Sequence, residues 1–153
     1  MIIYRLCKAV YSNDLSGEGA RKFGGRWNSK GFAMVYTAES RALATTELAV
    51  HLPLGIMPKG YVMVKIEIPE IVKISELKIY ELPANWKSFP YSCSTQELGD
   101  AFIREKSSVV LKVPSAVVPG DYNYLINPAH NDISLVRIIE TESFDFDERL
   151  FMK

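Results

Sequence analysis

Tyr61-Val62-Met63-Val64-Lys65-Ile66-Glu67-Ile68 decides the fold class. Its apolar residues recur with period two, which places Val62, Val64, Ile66 and Ile68 on one face of a strand and leaves the alternate positions for the other face. Working outward, shorter β patterns lie at residues 2–6, 33–37, 71–74, 108–113 and 135–139, with a further candidate at 144–146. Two stretches read as helices. Thr37 or Ser40 can cap one running to about His51, and Ser94-Thr95-Gln96-Glu97 is a capping-box pattern opening a second to about Lys106. Strands outnumber helices and do not alternate with them as in a doubly wound sheet, so the expected fold is α+β, mainly antiparallel sheet with few helices.

Composition fits one domain over residues 1–153. Hydrophobic residues make up 48% and charged residues 24%, enough apolar surface for a core. With 18 basic and 18 acidic side chains the formal net charge is zero, so no long-range field draws the chain to nucleic acid or to an anionic membrane. Neither a secretory leader nor an apolar run of about 18 residues is visible, and a soluble cytoplasmic protein is expected. Cys7 and Cys93 lack the spacing of a zinc or redox motif and read as inert thiols.

Three segments carry chemistry. On the first helix, at about 100° per residue, Leu43, Ala44, Leu48 and Val50 share an arc with Glu47 and His51 near its middle. An ionised carboxylate aimed inward must be paired, protonated or facing a cavity, which leaves a buried ion pair and a catalytic carboxylate both open. A metal is not expected, because Glu47 and His51 supply only two ligands and no HExxH.

The second segment is Phe23-Gly24-Gly25-Arg26-Trp27-Asn28. It has neither the Walker ending nor a GxGxxG pattern, and what remains is an arginine beside an aromatic on a glycine-rich loop. Arg26 can donate two parallel hydrogen bonds to a diphosphate and Trp27 can stack on a ring; a tight turn with a surface arginine fits as well. The third is Val113-Pro114-Ser115, followed by Asn123 and Asn127-Pro128-Ala129-His130. Pro114 should end a strand and place Ser115 in a loop at its edge. No GxSxG surrounds it, and a Ser115-His130-Asp132 set has no spacing to support it.

Taken in order, Tyr4-Arg5, Phe23-Gly24-Gly25-Arg26-Trp27-Asn28, Val35-Tyr36-Thr37-Ala38, Leu43-Ala44 with Glu47 and His51, Val113-Pro114-Ser115 and Asn127-Pro128 resemble the RES domain over roughly residues 2 to 150. The Arg, Glu and Ser that name that family fall on Arg26, Glu47 and Ser115. The resemblance implies a fold similar to ADP-ribosyltransferase toxins, NAD as substrate with no cofactor, and neutralisation by a Xre-type helix-turn-helix antitoxin that would supply the DNA binding. The expected reaction is cleavage of the nicotinamide–ribose bond, as a glycohydrolase or phosphorylase, with ADP-ribosylation of a protein as the alternative. In that assignment Glu47 stabilises the ribosyl cation, Arg26 grips the diphosphate and Tyr36 and Trp27 pack on nicotinamide. Ser115 orients ribose or carboxamide without acting as a nucleophile, and Asn127 is an auxiliary binding residue.

Overall fold

The computed structural model describes residues 1–152; Lys153, the last residue of the expected domain, lies outside them. Seven strands form one sheet: β1 (Ile2–Lys8), β2 (Val35–Ala38), β3 (Tyr61–Glu67), β4 (Ile74–Glu76), β5 (Val110–Pro114), β6 (Tyr122–Ile126) and β7 (Arg137–Phe144). Their spatial order is β4-β5-β6-β2-β1-β3-β7, and every neighbouring pair is antiparallel except β4 with β5. Three α-helices accompany them: α1 (Glu18–Phe23), α2 (Arg41–Ala49) and α3 (Cys93–Glu105). The α+β class with a mainly antiparallel sheet is the observed one.

The alternation in β3 sets the two faces. Paired with β1 from Ile2↔Glu67 to Lys8↔Tyr61, β3 sends Val62, Val64 and Ile66 to one side. There they pack with Ile3 and Cys7 of β1, Val35 of β2, Ile126 of β6 and Val110 of β5. Met63 points the other way, as the pleat requires, yet it is only 1% exposed because α2 lies over that face. On this second face the core is in two parts. Leu6, Ala38 and Met63 meet Leu43 and Ala44 of α2 together with Phe146 and Phe151, while Leu111, Val113 and Leu125 meet Phe102 and Ile103 of α3 and the pair Trp27 and Trp86.

Several boundaries differ from the local reading, each for a physical reason. β4 begins at Ile74, where parallel pairing with β5 starts, and Ile71 stays 82% exposed. The strand expected from 135 runs over Arg137–Phe144, so Phe144 closes β7 and Phe146 belongs to the core beyond it. The sequence did not predict β6, whose Pro119-Gly120 and Asn127-Pro128 flanks resemble loop, yet it lies between β5 and β2. Nor did it predict α1, a single short helix ended at Gly24 with φ +71°. Ser40 caps α2, accepting from the Leu43 N–H at 3.0 Å. For α3 the cap is Ser92, so Ser94 stands inside the first turn instead of at its edge. Because α2 stops at Ala49, Val50 and His51 are exposed and do not extend its buried arc.

Candidate active site

The two parts of the second-face core are separated by a cleft, and the sheet itself opens it. β1 and β2 are neighbours paired only at Tyr4↔Ala38, after which they diverge. The resulting cavity of about 940 Å³ is lined among others by Tyr4, Leu6, Arg26, Tyr36, Glu47 and Asn123, a volume in the range of small-molecule sites. Leu43 and Ala44 anchor α2 to the sheet, and Glu47, one turn on from Leu43 and Ala44, faces the cavity.

Glu47 has no ion-pair partner among the described residues, which disposes of the buried-ion-pair reading. Its one side-chain hydrogen bond comes from Ser115, whose Oγ donates to Oε1 at 2.7 Å. That hydroxyl is fully committed. It accepts the N–H groups of Val117 at 3.1 Å and Val118 at 3.0 Å, so its single proton is directed at the carboxylate. Ser115 is 2% exposed, lies directly after Pro114 at the end of β5 and is not among the residues that line the cavity. The sequence reading placed Ser115 against ribose or carboxamide; in the structure its hydroxyl meets Glu47. His130 makes no hydrogen bond to Ser115 among the described residues; its Nδ1 accepts the Asp132 N–H at 3.0 Å.

Across the cleft, Arg26 stands on a tight turn closed by the Gly25 N–H to Asn28 carbonyl bond of 2.9 Å. Its Nη1 donates to the carbonyls of Trp86 at 2.7 Å and Ser88 at 3.1 Å, and its guanidinium lies 5.1 Å from the Tyr91 ring centre. Gly25 answers to Tyr36 before any ligand, because a Cβ there would stand 2.6 Å from the Tyr36 hydroxyl. That hydroxyl accepts the Trp27 N–H at 3.0 Å and donates to Asn28 Oδ1 at 2.6 Å, and burial pushes its pKa well up. Tyr36 lines the cavity but spends its polar end on holding the loop.

Trp27 also borders the cavity, yet it is 3% exposed and packs on Trp86 with ring centres 6.3 Å apart, which makes it a wall residue more than an open stacking face. Asn127 stands elsewhere. Fully buried, its Nδ2 donates to the Ile103 carbonyl at 3.1 Å and its Oδ1 accepts the Ala129 N–H at 2.9 Å, which ties the end of β6 to α3.

Sequence reading missed the other support of this wall, the buried face of α3. Gln96 Nε2 donates to the Gly25 carbonyl at 3.0 Å and the Asn28 carbonyl at 3.2 Å, and Asp100 accepts the Ser29 N–H at 3.0 Å together with the Ser29 hydroxyl. Between them, Gly99 lets the helix approach so closely that a Cβ would meet the Trp27 carbonyl oxygen at 1.6 Å. The available signal was a helix whose apolar stripe is interrupted by Gln, Gly and Asp one turn apart. Asn28 of the same loop is a structural residue. Its Nδ2 donates to the carbonyls of Ala20 at 2.8 Å and Phe32 at 3.0 Å.

Comparison with known proteins gives the family. The RES domain model matches residues 2–147. The chain belongs to the RES-domain family. It is 38% identical to the Prs ADP-ribosylating toxin of a Sphingobium species, over 93% of this chain and 89% of that one. It is 36% identical to a Toxin Res of Yersinia enterocolitica, covering 98% and 99%, and to another of Pseudomonas putida, covering 99% and 100%. Among solved structures, a chain of the M. tuberculosis MbcT-MbcA toxin-antitoxin complex superposes with a TM-score of 0.74 at 22% identity, over 97% of this chain and 85% of that one; this likeness is one of fold. No helix among the described residues of this RES-domain chain is long and apolar enough to cross a membrane.

Proposed function

We propose that this RES-domain protein is a cytoplasmic toxin that cleaves the nicotinamide–ribose bond of NAD and is neutralised by a Xre-type helix-turn-helix antitoxin. The observation that carries the reading is Glu47: a carboxylate with no cation partner among the described residues, held by Ser115, facing a cleft of about 940 Å³ with Arg26 on the opposite wall. Glycoside cleavage commonly needs one carboxylate to protonate the leaving group and another to support the sugar cation. NAD needs only the second. The C1′–N bond breaks, its electron pair neutralises the pyridinium, and nicotinamide departs without a proton. Glu47 then stabilises the positive charge developing on the ribose, and the low dielectric of the cleft strengthens that effect. Arg26 offers the guanidinium edge for the diphosphate. The chain's zero net charge fits a division of labour in which the antitoxin binds DNA.

A second reading is favoured by one observation, the 38% identical relative named as an ADP-ribosylating toxin: the same cation would be captured by a side chain of a target protein. Incubation of the purified protein with NAD separates the outcomes. Nicotinamide release without an acceptor supports hydrolysis, release that requires phosphate supports phosphorolysis, and release that requires cell extract supports transfer. No release under any of these conditions overturns the NAD reading. In cells, expression of the chain alone should lower NAD and arrest growth, and co-expression of the antitoxin should relieve both.

A further inference from the structure

Residues 85–91 form a strap between β4 and α3 that crosses the arginine side of the cleft, and the reaction outlined above leaves two of its rings without a task. Trp86 roots the strap in the core at 7% exposure, packed on Trp27. Arg26 fastens it further on, through the carbonyls of Trp86 and Ser88. Two aromatic side chains stand on the far side of these anchors. Phe89 and Tyr91 meet edge to face, with ring centres 5.5 Å apart and planes at 83°, and both line the cavity. Tyr91 rests against the Arg26 guanidinium, but Phe89 is 77% exposed. An apolar ring held by a fastened backbone, beside a cleft and with most of its surface uncovered, is shaped to receive another flat apolar surface.

We propose that Phe89, backed by Tyr91, is the stacking wall for the adenine base of the dinucleotide and so sets the preference for an adenylate-bearing substrate. The order of groups favours adenine over nicotinamide. Glu47 belongs to the α2 side and the strap to the α3 side, with Arg26 joined to the strap. A dinucleotide with its reactive ribose at Glu47 and its diphosphate at Arg26 extends its other end toward the strap. Arg26 can serve both tasks, because Nη1 makes both strap contacts while Nε and Nη2 make no hydrogen bond among the described residues. Stacking on an aromatic face tolerates many rings, so the preference comes from where the wall stands relative to Arg26 and not from hydrogen bonds to the base.

The assignment rests on the NAD reading, and its test uses binding so that the two can fail separately. Calorimetry would measure the affinities of ADP, which has the adenosine and diphosphate without the nicotinamide riboside, and of nicotinamide mononucleotide, which lacks the adenylate. Phe89→Ala should weaken ADP binding about tenfold and nicotinamide mononucleotide far less, while Phe89→Tyr, which keeps the ring, should restore ADP affinity. Thermal melting of both variants checks the fold, which an exposed side chain should not disturb. Equal weakening of both ligands, an unchanged ADP affinity, or a wild-type protein that does not bind ADP would overturn the wall. Absence of nicotinamide release from NAD by a wild-type protein that binds ADP through Phe89 would instead overturn the reaction and leave the wall standing.

Discussion

On the α2 side of the cleft, Glu47 has one side-chain hydrogen bond among the described residues, from Ser115, and the helix that carries it packs through Leu43 and Ala44. On the α3 side, the loop bearing Arg26 is held by Tyr36, Asn28, Gln96 and Asp100, and by a helix backbone pressed against Trp27. One wall presents a charge with few obligations, and the other is a dense structure from which a single side chain reaches out. The difference teaches where function and stability separate. A residue with few native contacts can be replaced at little structural cost while the chemistry is lost; a residue at a crowded approach takes the fold with it.

The largest effect should come from the sparse wall. Glu47→Gln keeps the shape and removes the charge, so kcat for nicotinamide release should fall on the order of 100-fold or more with NAD binding mostly kept. Its melting temperature should stay close to that of the parent. Near-normal turnover would end the assignment of Glu47.

On the crowded wall the sign of the contrast reverses. Gly99→Ala forces a methyl against the Trp27 carbonyl and should cost about 3 kcal/mol of stability, read by denaturant unfolding, before any kinetics are measured. A stable Gly99→Ala protein would show that α3 can draw back and that the wall is softer than its contacts imply.

Arg26 is the test case between the two. Lysine keeps the charge but not the fork that can hold strap and diphosphate together. Arg26→Lys should raise KM for NAD about tenfold, a loss in the range of one charge-assisted hydrogen bond, with a smaller change in kcat. An unchanged KM would remove it as the diphosphate clamp and turn attention to Arg5, which also lines the cavity.

Ser115→Ala should show the smallest catalytic change. Losing one positioning hydrogen bond worth about 1 kcal/mol predicts a roughly fivefold fall in kcat with KM little altered. The N–H groups of Val117 and Val118 would lose their acceptor, so a modest drop in melting temperature should accompany it. A collapse in turnover as deep as that of Glu47→Gln would mean that the hydroxyl does more than orient the carboxylate.

Local pattern carried much of this molecule. The period-two run of β3 and the cap at Ser40 were readable because pleat and helix geometry depend only on neighbours in the chain. Inward placement of Glu47 followed from its arc with Leu43 and Ala44, Arg26 stood out on its glycine-rich loop and Ser115 after Pro114, and the family resemblance joined the three. Adjacent residues could not decide what those side chains touch. That Ser115 spends its proton on Glu47, 68 positions away, and that Asn127 closes on α3 instead of on the cleft, depend on contacts between distant segments. β6 escaped notice for the same reason: its turn-like flanks dominate locally, whereas its place between β5 and β2 comes from pairing with strands on both sides. The cleft itself is the clearest instance. It exists because β1 and β2 join at a single residue pair and then part, and nothing in either strand alone encodes the gap between them.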